Sequence, residues 1–270
     1  MIKVLSEIDE KNSYKKDIEI LFSEVYKKDL STNDWNFIIV SSSLSVMIVF
    51  LHNGRVEGLS ILLYHTQNYD AQKLEFYVYT TSVLSEKFRK KGAYLSIFME
   101  IKRILIESSC KFVIAYPNKV AYPILTSSFF GFKNFRSFKM IEVEDPQSLI
   151  APCDMANLLD IDENYSFWRF KKNDYYYTEV NNLVFICKDY NNTIDVLEIF
   201  KTSDYNSLNI GIPFREYKLG LKNYNIPSFR LKKSDQVDHV DNQMICVLSK
   251  EKNISKYLDL DISCLCWDVL

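Results

Sequence analysis

Three cations and a glycine stand together at residues 89–94, directly before a segment with helical periodicity. The run reads Arg89-Lys90-Lys91-Gly92-Ala93-Tyr94. A tight turn that leads into a helix presents free N–H groups and the positive end of the helix dipole, and both attract anions. Glycine lets the backbone approach a ligand closely. The turn therefore predicts an anion site, for which a diphosphate is a natural ligand; the alternative is an ordinary solvated surface turn.

The strand that leads into this turn belongs to a predicted antiparallel meander. Asn53 and Gly54 form the strongest short signal for a hairpin, and they separate two apolar runs over 44–51 and 56–64. A third run over 74–84 ends where the basic turn begins. The pattern thus predicts three consecutive strands, with the anion site at the end of the last.

The residues before the meander predict a helix and a further strand. Apolar side chains recur every three or four positions over 13–28, which indicates an amphipathic helix with Ser13 as its N-cap. The stretch between Asp34 and Arg55 carries no charged side chain and is nearly long enough to span a bilayer, but serines interrupt it. Two strands, the first over 37–40 and the second the opening strand of the meander, explain it better.

The residues after the turn predict a crossover helix and a buried strand. A helix over 94–107 is apolar on most of its surface, which indicates burial on more than one side. The continuous apolar run over 110–117 is typical of a central strand. A short helix over 118–126 and a strand over 135–143 follow.

Composition and charge argue against several classes of protein. The chain has 270 residues, of which 47% are hydrophobic and 14% aromatic, so most of it is not disordered. The net charge of −2 argues against a nucleic-acid-binding stripe or a polybasic membrane surface. The start of the chain lacks the apolar region of a secretory signal, which predicts a cytoplasmic protein.

The cysteines and histidines predict no metal site. The histidines are scattered along the chain, and the cysteines contain no C-x-x-C pair. Several cysteines lie inside apolar runs, which indicates buried free thiols in a reducing compartment. The cysteines are Cys110, Cys153, Cys187, Cys246, Cys264 and Cys266.

The predicted elements follow the order helix, meander, basic glycine turn, buried helix and buried strand. This order resembles that of the GNAT family of acetyl-CoA-dependent N-acyltransferases. In that family the pyrophosphate loop has Gln or Arg at its first position, Gly at its fourth and Gly or Ala at its sixth. Arg89 and Gly92 match, whereas Tyr94 departs from the pattern. The later run from Asn118 to Phe132 is similar to the family's second half-motif.

This resemblance, over residues 13–143, implies an α/β (α+β) GNAT fold, a mixed and mostly antiparallel sheet flanked by helices. Acetyl-CoA is implied as co-substrate in a V-shaped gap where strand 74–84 splays from strand 110–117. Its pantetheine arm would hydrogen-bond to the backbone of 82–84, and Asn118 would orient it near the end of that arm. The implied cofactor-binding residues are Ser82, Val83, Leu84, Arg89, Lys90, Lys91, Gly92, Ala93, Tyr94 and Asn118.

The implied reaction is the direct attack of a neutral amine on the thioester, which requires a base for the amine and a proton donor for the sulfur. Glu75, on the strand that lines the gap, is the predicted base; the alternative is a charged residue on the solvent face of a strand. Many family members carry a general-acid Tyr four residues before the Gly-Phe turn, and Ser127 stands there in this chain. Tyr122 is the predicted substitute; the alternatives are that it is an ordinary core or surface tyrosine and that the thiolate leaves without a donor.

Residues 146–270 are predicted to form a second, smaller unit after a GNAT domain over 1–145. A polar segment with two prolines marks the boundary, and the apolar runs beyond it indicate mostly β-structure. The segment around Trp168 and Arg169 resembles the C-terminal extension of some GNAT proteins, a degenerate GNAT-like copy. We expect this unit to shape the acceptor pocket; its aromatic cluster could stack a sugar or form the packing seam of two domains.

Three functions are open at this point. The first is transfer of an acetyl group to the primary amine of a small acceptor, with an amino sugar as the expected acceptor. The second is a non-catalytic GNAT-like module that binds acyl-CoA or regulates. The third is aminoacyl transfer to peptidoglycan precursors. A small-molecule amine is the expected partner, without nucleic acid or a membrane span, and a homodimer is left open.

Overall fold

The computed structural model describes residues 1–39, 45–69, 72–89, 92–143, 175–180, 182–190, 193–201, 203, 215–216, 229–234 and 243–251. The helices described are α1 (Ile8–Ser13), α2 (Lys15–Tyr26), α3 (Thr32–Ile39), α4 (Ala93–Glu107) and α5 (Ala121–Leu125). The earlier strands are β1 (Ile2–Leu5), β2 (Ser45–His52), β3 (Arg55–Tyr69), β4 (Gln72–Leu84), β5 (Phe112–Ala115) and β6 (Lys133–Val143). The later strands are β7 (Tyr175–Val180), β8 (Leu183–Tyr190), β9 (Thr193–Lys201), β10 (Arg215–Glu216), β11 (Phe229–Ser234) and β12 (Gln243–Ser249).

These strands form one sheet in the order β1-β2-β3-β4-β5-β12-β6-β11-β9-β8-β7-β10. The pairs β4–β5, β9–β11 and β7–β10 are parallel, and the other described neighbours are antiparallel. The predicted fold class, a mixed and mostly antiparallel sheet flanked by helices, is therefore confirmed.

The predicted hairpin between β2 and β3 is confirmed. Asn53 and Gly54 both have left-handed backbone, with φ of 51° and 79°. Two such residues in succession make the hairpin turn whose twist matches that of the flanking strands. His52 consequently pairs with Arg55, and β4 then pairs with β3 to complete the meander.

The predicted strand over 37–40 is wrong, because α3 occupies Thr32–Ile39. Ser31 caps the start of this helix: its Oγ accepts the Asp34 N–H at 3.0 Å and donates to Asp34 Oδ2 at 2.6 Å. Trp35 is buried in the core and fixes the helix there. The apolar run therefore lies on a helix, whose cap was missed in the sequence.

Ser13 is not the N-cap that the sequence predicted. It ends α1, and its Oγ donates to the Glu10 carbonyl oxygen at 2.6 Å. The next helix, α2, begins at Lys15 after Tyr14, whose ψ of 0° interrupts the helical run. The prediction of an amphipathic helix is confirmed over α2 alone.

Helices cover both faces of the sheet. Buried side chains of α2 pack on one face together with Val78 of β4, and those of α4 pack on the other together with Tyr79. Because successive side chains of a strand point to opposite faces, β4 contributes to both layers. None of the helices described is long and apolar enough to cross a membrane.

Strand β12 lies between β5 and β6, although it comes from the predicted second unit. Val247 of β12 pairs with Ile114 on one side and with Lys133 on the other. Ile245 and Val247 join one core layer, whereas Cys246 joins the other. A segment from beyond residue 145 therefore completes the sheet of the first half, and the division at 145–146 stays a prediction.

Three of the cysteines, Cys110, Cys187 and Cys246, are buried thiols that form no disulfide, as predicted. Burial raises the pKa of Cys110 to about 11 and that of Cys246 to about 12. Thiols that stay protonated at neutral pH are poor nucleophiles, so both act as packing residues. Cys153, Cys264 and Cys266 lie outside the described residues.

Candidate functional site

Strands β4 and β5 diverge and leave a cleft. Their parallel pairing runs from Phe76–Phe112 to Tyr79–Ala115, and β4 then continues to Leu84 while β5 ends. The cleft encloses about 670 Å³. Its walls come from α2 and the segment that follows, from β4, from α4 and from β5 with α5. They are Phe22, Tyr26, Lys28, Asp29, Leu30, Asp34, Val78, Tyr79, Thr80, Thr81, Ser82, Tyr94, Ala115, Tyr116, Pro117, Asn118, Ala121 and Leu125.

A β-bulge in β4 re-aims the backbone at this cleft. Ser60 of β3 pairs with Ser82 and Ile61 pairs with Thr80, so Thr81 is the extra residue. The Oγ1 atoms of Thr80 and Thr81 are buried, and neither has a hydrogen-bond partner among the described residues. Buried hydroxyls are nearly always paired, so these two indicate a place for a polar ligand.

A chain of hydroxyl groups leads from the cleft into the sheet. Tyr94 Oη lies 3.1 Å from Tyr79 Oη, which lies 3.3 Å from Ser60 Oγ, and Ser60 Oγ lies 3.1 Å from Ser82 Oγ. Burial raises the pKa of Tyr79 well above its ordinary value. The phenol of Tyr79 therefore stays protonated at neutral pH. It can donate a hydrogen bond to Tyr94 or accept one from it.

The basic glycine turn has the geometry that the sequence predicted. Gly92 has φ of 73° and forms the N-cap of α4. A Cβ at Gly92 would meet no atom within 4 Å, so its left-handed backbone, rather than lack of space, requires a glycine. Arg89 is exposed, and its Nε donates to the Leu84 carbonyl oxygen at 3.2 Å. Lys90 and Lys91 lie outside the described residues, and buried Ala93 starts the helix.

The predicted pantetheine-binding strand has a free edge. Ser82, Val83 and Leu84 pair with β3 along one edge. Along the other edge no described strand pairs with them, because the β5 pairing ends at Tyr79. The Val83 and Leu84 side chains are buried in the core, so only their backbone can serve a ligand, whereas the side chain of Ser82 lines the cleft.

Asn118 lies on the cleft wall, as its predicted role requires. Its Oδ1 accepts the N–H groups of Val120 and Ala121 at 3.1 and 2.8 Å. The side chain therefore shapes the start of α5, and the second half-motif of the sequence builds one rim of the cleft.

The structure places Glu75 outside the residues that line the cleft. It precedes Tyr79 by four residues, about 13 Å along the strand, on the side where β4 and β5 are still paired. Tyr64 donates to Glu75 Oε1 at 2.5 Å, and hydrogen bonds from Ser109 and Tyr64 lower the pKa of Glu75. A carboxylate held in this way is a structural acceptor, and the geometry does not favour it as the base.

Tyr122, the predicted proton donor, also does not belong to the cleft lining described. It is half-buried and packs against the core layer around α4. Tyr94 reaches the cleft from the first turn of α4 instead, so the structure brings a different tyrosine to the site.

Two acidic residues of the cleft were missed in the sequence. Asp29 is exposed and lies in the segment that joins α2 to α3, whereas the half-buried Asp34 lies in the first turn of α3. No local signal could have found them, because only the packing of α2 and α3 on the sheet brings this segment over the end of β4. The predicted aromatic cluster around Trp168 and Arg169 lies outside the described residues.

Comparisons with known proteins support the fold. No protein-family model and no curated protein matches the chain. Among solved structures, a GCN5-related N-acetyltransferase from Kribbella flavida is similar, with TM-score 0.57 and 9% identity over 92% of this chain and 72% of that one. A probable N-acyltransferase from Enterococcus faecalis V583 gives 0.54 and 11% over the same shares.

A third similar structure is a GCN5-related N-acetyltransferase from Anabaena variabilis ATCC 29413, with TM-score 0.51 and 10% identity over 92% of this chain and 72% of that one. Similarity at sequence identities this low shows a shared fold and does not show a shared reaction. The splayed strands, the glycine turn and these likenesses together show that the chain has the fold of the GCN5-related N-acetyltransferase superfamily.

Proposed function

We propose that this protein is an N-acetyltransferase that moves an acetyl group from acetyl-CoA to the primary amine of a small acceptor. The observation that carries the proposal is the cleft where β4 and β5 diverge, with the cationic glycine turn following the far end of β4. A ligand with an extended polar arm and a diphosphate matches both parts of this surface.

The residues of the cleft fit such a ligand. The open edge of β4 beyond Tyr79 offers backbone N–H and C=O groups to the amides of a pantetheine arm, as an added strand would. The free hydroxyls of Thr80 and Thr81 can bond with its polar atoms. The N–H groups at the start of α4 and the side chain of Arg89 suit the diphosphate. Acetyl-CoA supplies an activated acyl carbon whose leaving group is a thiolate.

The amine acceptor enters beside the segment between α2 and α3. Asp29 and Asp34 attract a protonated amine to that rim, and the attacking nitrogen must then lose a proton. Asp34 is the half-buried member and is fixed by Ser31, so it is the carboxylate we assign to orient the amine and to accept its proton through water. An amino sugar remains our expected acceptor.

Tyr94 is the proton donor that the site offers to the sulfur. Its hydroxyl lies on the cleft and is supported from behind by Tyr79 and Ser60. Positioned acids contribute about 10²–10⁴ to a rate, which is the size of effect assigned here to Tyr94. The N–H groups of the bulge at Thr81 are suited to stabilise the developing oxyanion.

A thermal-shift titration with acetyl-CoA, CoA and ADP tests the proposal on the wild type and on Gly92→Asp. A ligand that binds the folded state must raise the melting temperature. We expect a rise with all three ligands that disappears in Gly92→Asp, because a carboxylate then faces the anion and the left-handed backbone is strained.

Gly54→Asp is the matched control for this variant. Gly54 also has a positive φ, 79°, and also has no atom within 4 Å of its ideal Cβ, but it lies in the β2–β3 hairpin. Its backbone strain is therefore comparable, and we expect the ligand-induced shift to persist. No shift of the wild type at saturating acetyl-CoA would disprove the proposal.

A non-catalytic acyl-CoA-binding module is the second candidate. The position of Glu75 outside the cleft and Ser127 in place of the family's tyrosine favour it. A wild type that binds CoA but releases no free thiol from acetyl-CoA with any member of a panel of amino sugars, diamines and amino acids would support this reading over the enzyme.

A further inference from the structure

We infer that Glu57 is a positioning residue for the diphosphate turn, because its buried carboxylate pairs with the exposed side chain of Lys87; this inference rests on the proposed function. Glu57 lies on β3, and only 4% of it is exposed, which is rare for a carboxylate unless it is paired. Its Oε1 lies 2.5 Å from Lys87 Nζ, in the turn that follows β4. Burial by itself raises the pKa of Glu57, but hydrogen bonds led by that from Lys87 bring it below the ordinary value.

The backbone around Glu57 ties the same two segments together. Ser85 donates its N–H to the Glu57 carbonyl oxygen at 2.9 Å, immediately after β4 ends. The next residue, Gly58, has no room for a side chain, because a Cβ there would lie 2.6 Å from Leu84 Cδ1 and 3.3 Å from Ile97 Cδ1. At this point β3, the end of β4 and helix α4 are in close contact.

The buried ring of Phe88 holds the turn against the core. This ring is buried between Phe50 and His52, at centroid distances of 5.2 and 4.7 Å. Lys87 Nζ also lies 5.3 Å from the centre of the Phe88 ring. Lys87 is thus held by a buried carboxylate and an aromatic face, so it orders the backbone of the turn and is not a ligand of the diphosphate.

Charge and positioning predict opposite effects of Glu57→Gln on anion binding. Glu57→Gln removes a negative charge near an anion site and releases Lys87, and by charge alone both effects tighten anion binding. Weaker CoA binding in Glu57→Gln then cannot come from charge, so it must come from a structural change, either local to the turn or general. If Lys87 were instead a direct ligand, Glu57→Gln and Lys87→Met would shift the affinity in opposite directions.

Isothermal titration calorimetry with CoA and with pantetheine tests this on the wild type, Glu57→Gln and Lys87→Met. We expect both variants to weaken CoA binding about tenfold, the size of effect of a lost hydrogen bond to a charged group. Pantetheine has no diphosphate, so its affinity should change less than twofold. Glu24→Gln is the control, since its carboxylate lies in the neighbouring hollow with Lys87 and Arg89 but is itself exposed and pairs with Arg55; CoA binding should stay equal or tighten.

Four results would overturn the inference. Tighter or unchanged CoA binding in Glu57→Gln with weaker binding in Lys87→Met would make Lys87 a ligand. Equal loss of CoA and pantetheine affinity would indicate a general structural role. A loss equally large in Glu24→Gln would show that the effect is not specific to the pair of Glu57 and Lys87. A wild type that does not bind CoA at all would refute the proposed function, and this inference with it.

Discussion

Tyr94 stands at the sixth position of the run that resembles the GNAT pyrophosphate loop, where that pattern has a small residue, and it lines the cleft. Tyr94 lies in the first turn of α4, and its hydroxyl is 3.1 Å from that of Tyr79 on β4. We propose that Tyr94 supplies the proton donor, since Ser127 stands at the position where many GNAT proteins carry a general-acid tyrosine.

We expect Tyr94→Phe to lower kcat about 100-fold, within the range of a lost general acid. The dissociation constant of CoA should change less than threefold, because the phenyl ring still fills its place against Phe98 and Phe130. Stopped-flow release of thiol and calorimetric binding of CoA measure the two quantities. Tyr122→Phe tests the position that the sequence predicted, and a larger loss of kcat there than in Tyr94→Phe would contradict our assignment.

At the scale of elements, a buried lysine joins α1 to the start of β2. Lys11 is fully buried, and its Nζ donates to the carbonyl oxygen and to Oγ of Ser45, at 2.8 and 2.9 Å. Burial lowers the pKa of Lys11 to about 8, although Glu7 opposes this shift. In the unfolded chain the pKa of a lysine is close to 10.4.

This difference predicts that alkaline pH stabilises the α1–β2 junction. Between about pH 8 and 10 the unfolded chain binds more protons at Lys11 than the folded one does, so the free energy of unfolding rises with pH. Relative to Lys11→Met, the wild type should gain about 2 kcal/mol from pH 7 to pH 10. Urea unfolding of both proteins at several pH values measures it. The comparison cancels the tyrosines and cysteines that titrate in both, and parallel pH profiles would contradict the prediction.

The elements around the site were largely predictable, because their signals are local. Asn53-Gly54, the apolar periodicity of α4 and the glycine at its start each act within a few residues. The run over 37–40 misled the prediction, since a short apolar segment suits a helix or a strand equally and the cap at Ser31 decided the outcome. The bulge at Thr81 was also beyond prediction, because it exists only in the register of β4 against β3.

At the scale of the whole molecule, the two halves of the sequence share one sheet. β12 bonds to β5 along Phe112–Ala115 and to β6 along Lys133–Phe138. Without it, both strands would expose backbone groups that are paired in the sheet, and Ile114 would lose part of its cover.

We therefore expect a chain that ends at residue 145 to lack a cooperative unfolding transition. Circular dichroism during urea titration and the binding of a hydrophobic dye measure this, with the full-length protein as the reference. A truncated chain that unfolds cooperatively and still shows a CoA-induced thermal shift would demonstrate that residues 1–145 are an independent domain, as the sequence suggested.

By itself the sequence determined the order of the early elements, the place of the anion turn and the resemblance that fixes the fold class, since periodicity, turn residues and helix starts are written in neighbouring positions. Only the tertiary structure decided which side chains meet in the cleft. It brought Asp29, Asp34 and Tyr94 to it, left Glu75 outside, and inserted β12 beside β5. The physical reason is that these contacts join residues far apart in the chain, and their energy appears only once the sheet and its two helical layers have packed.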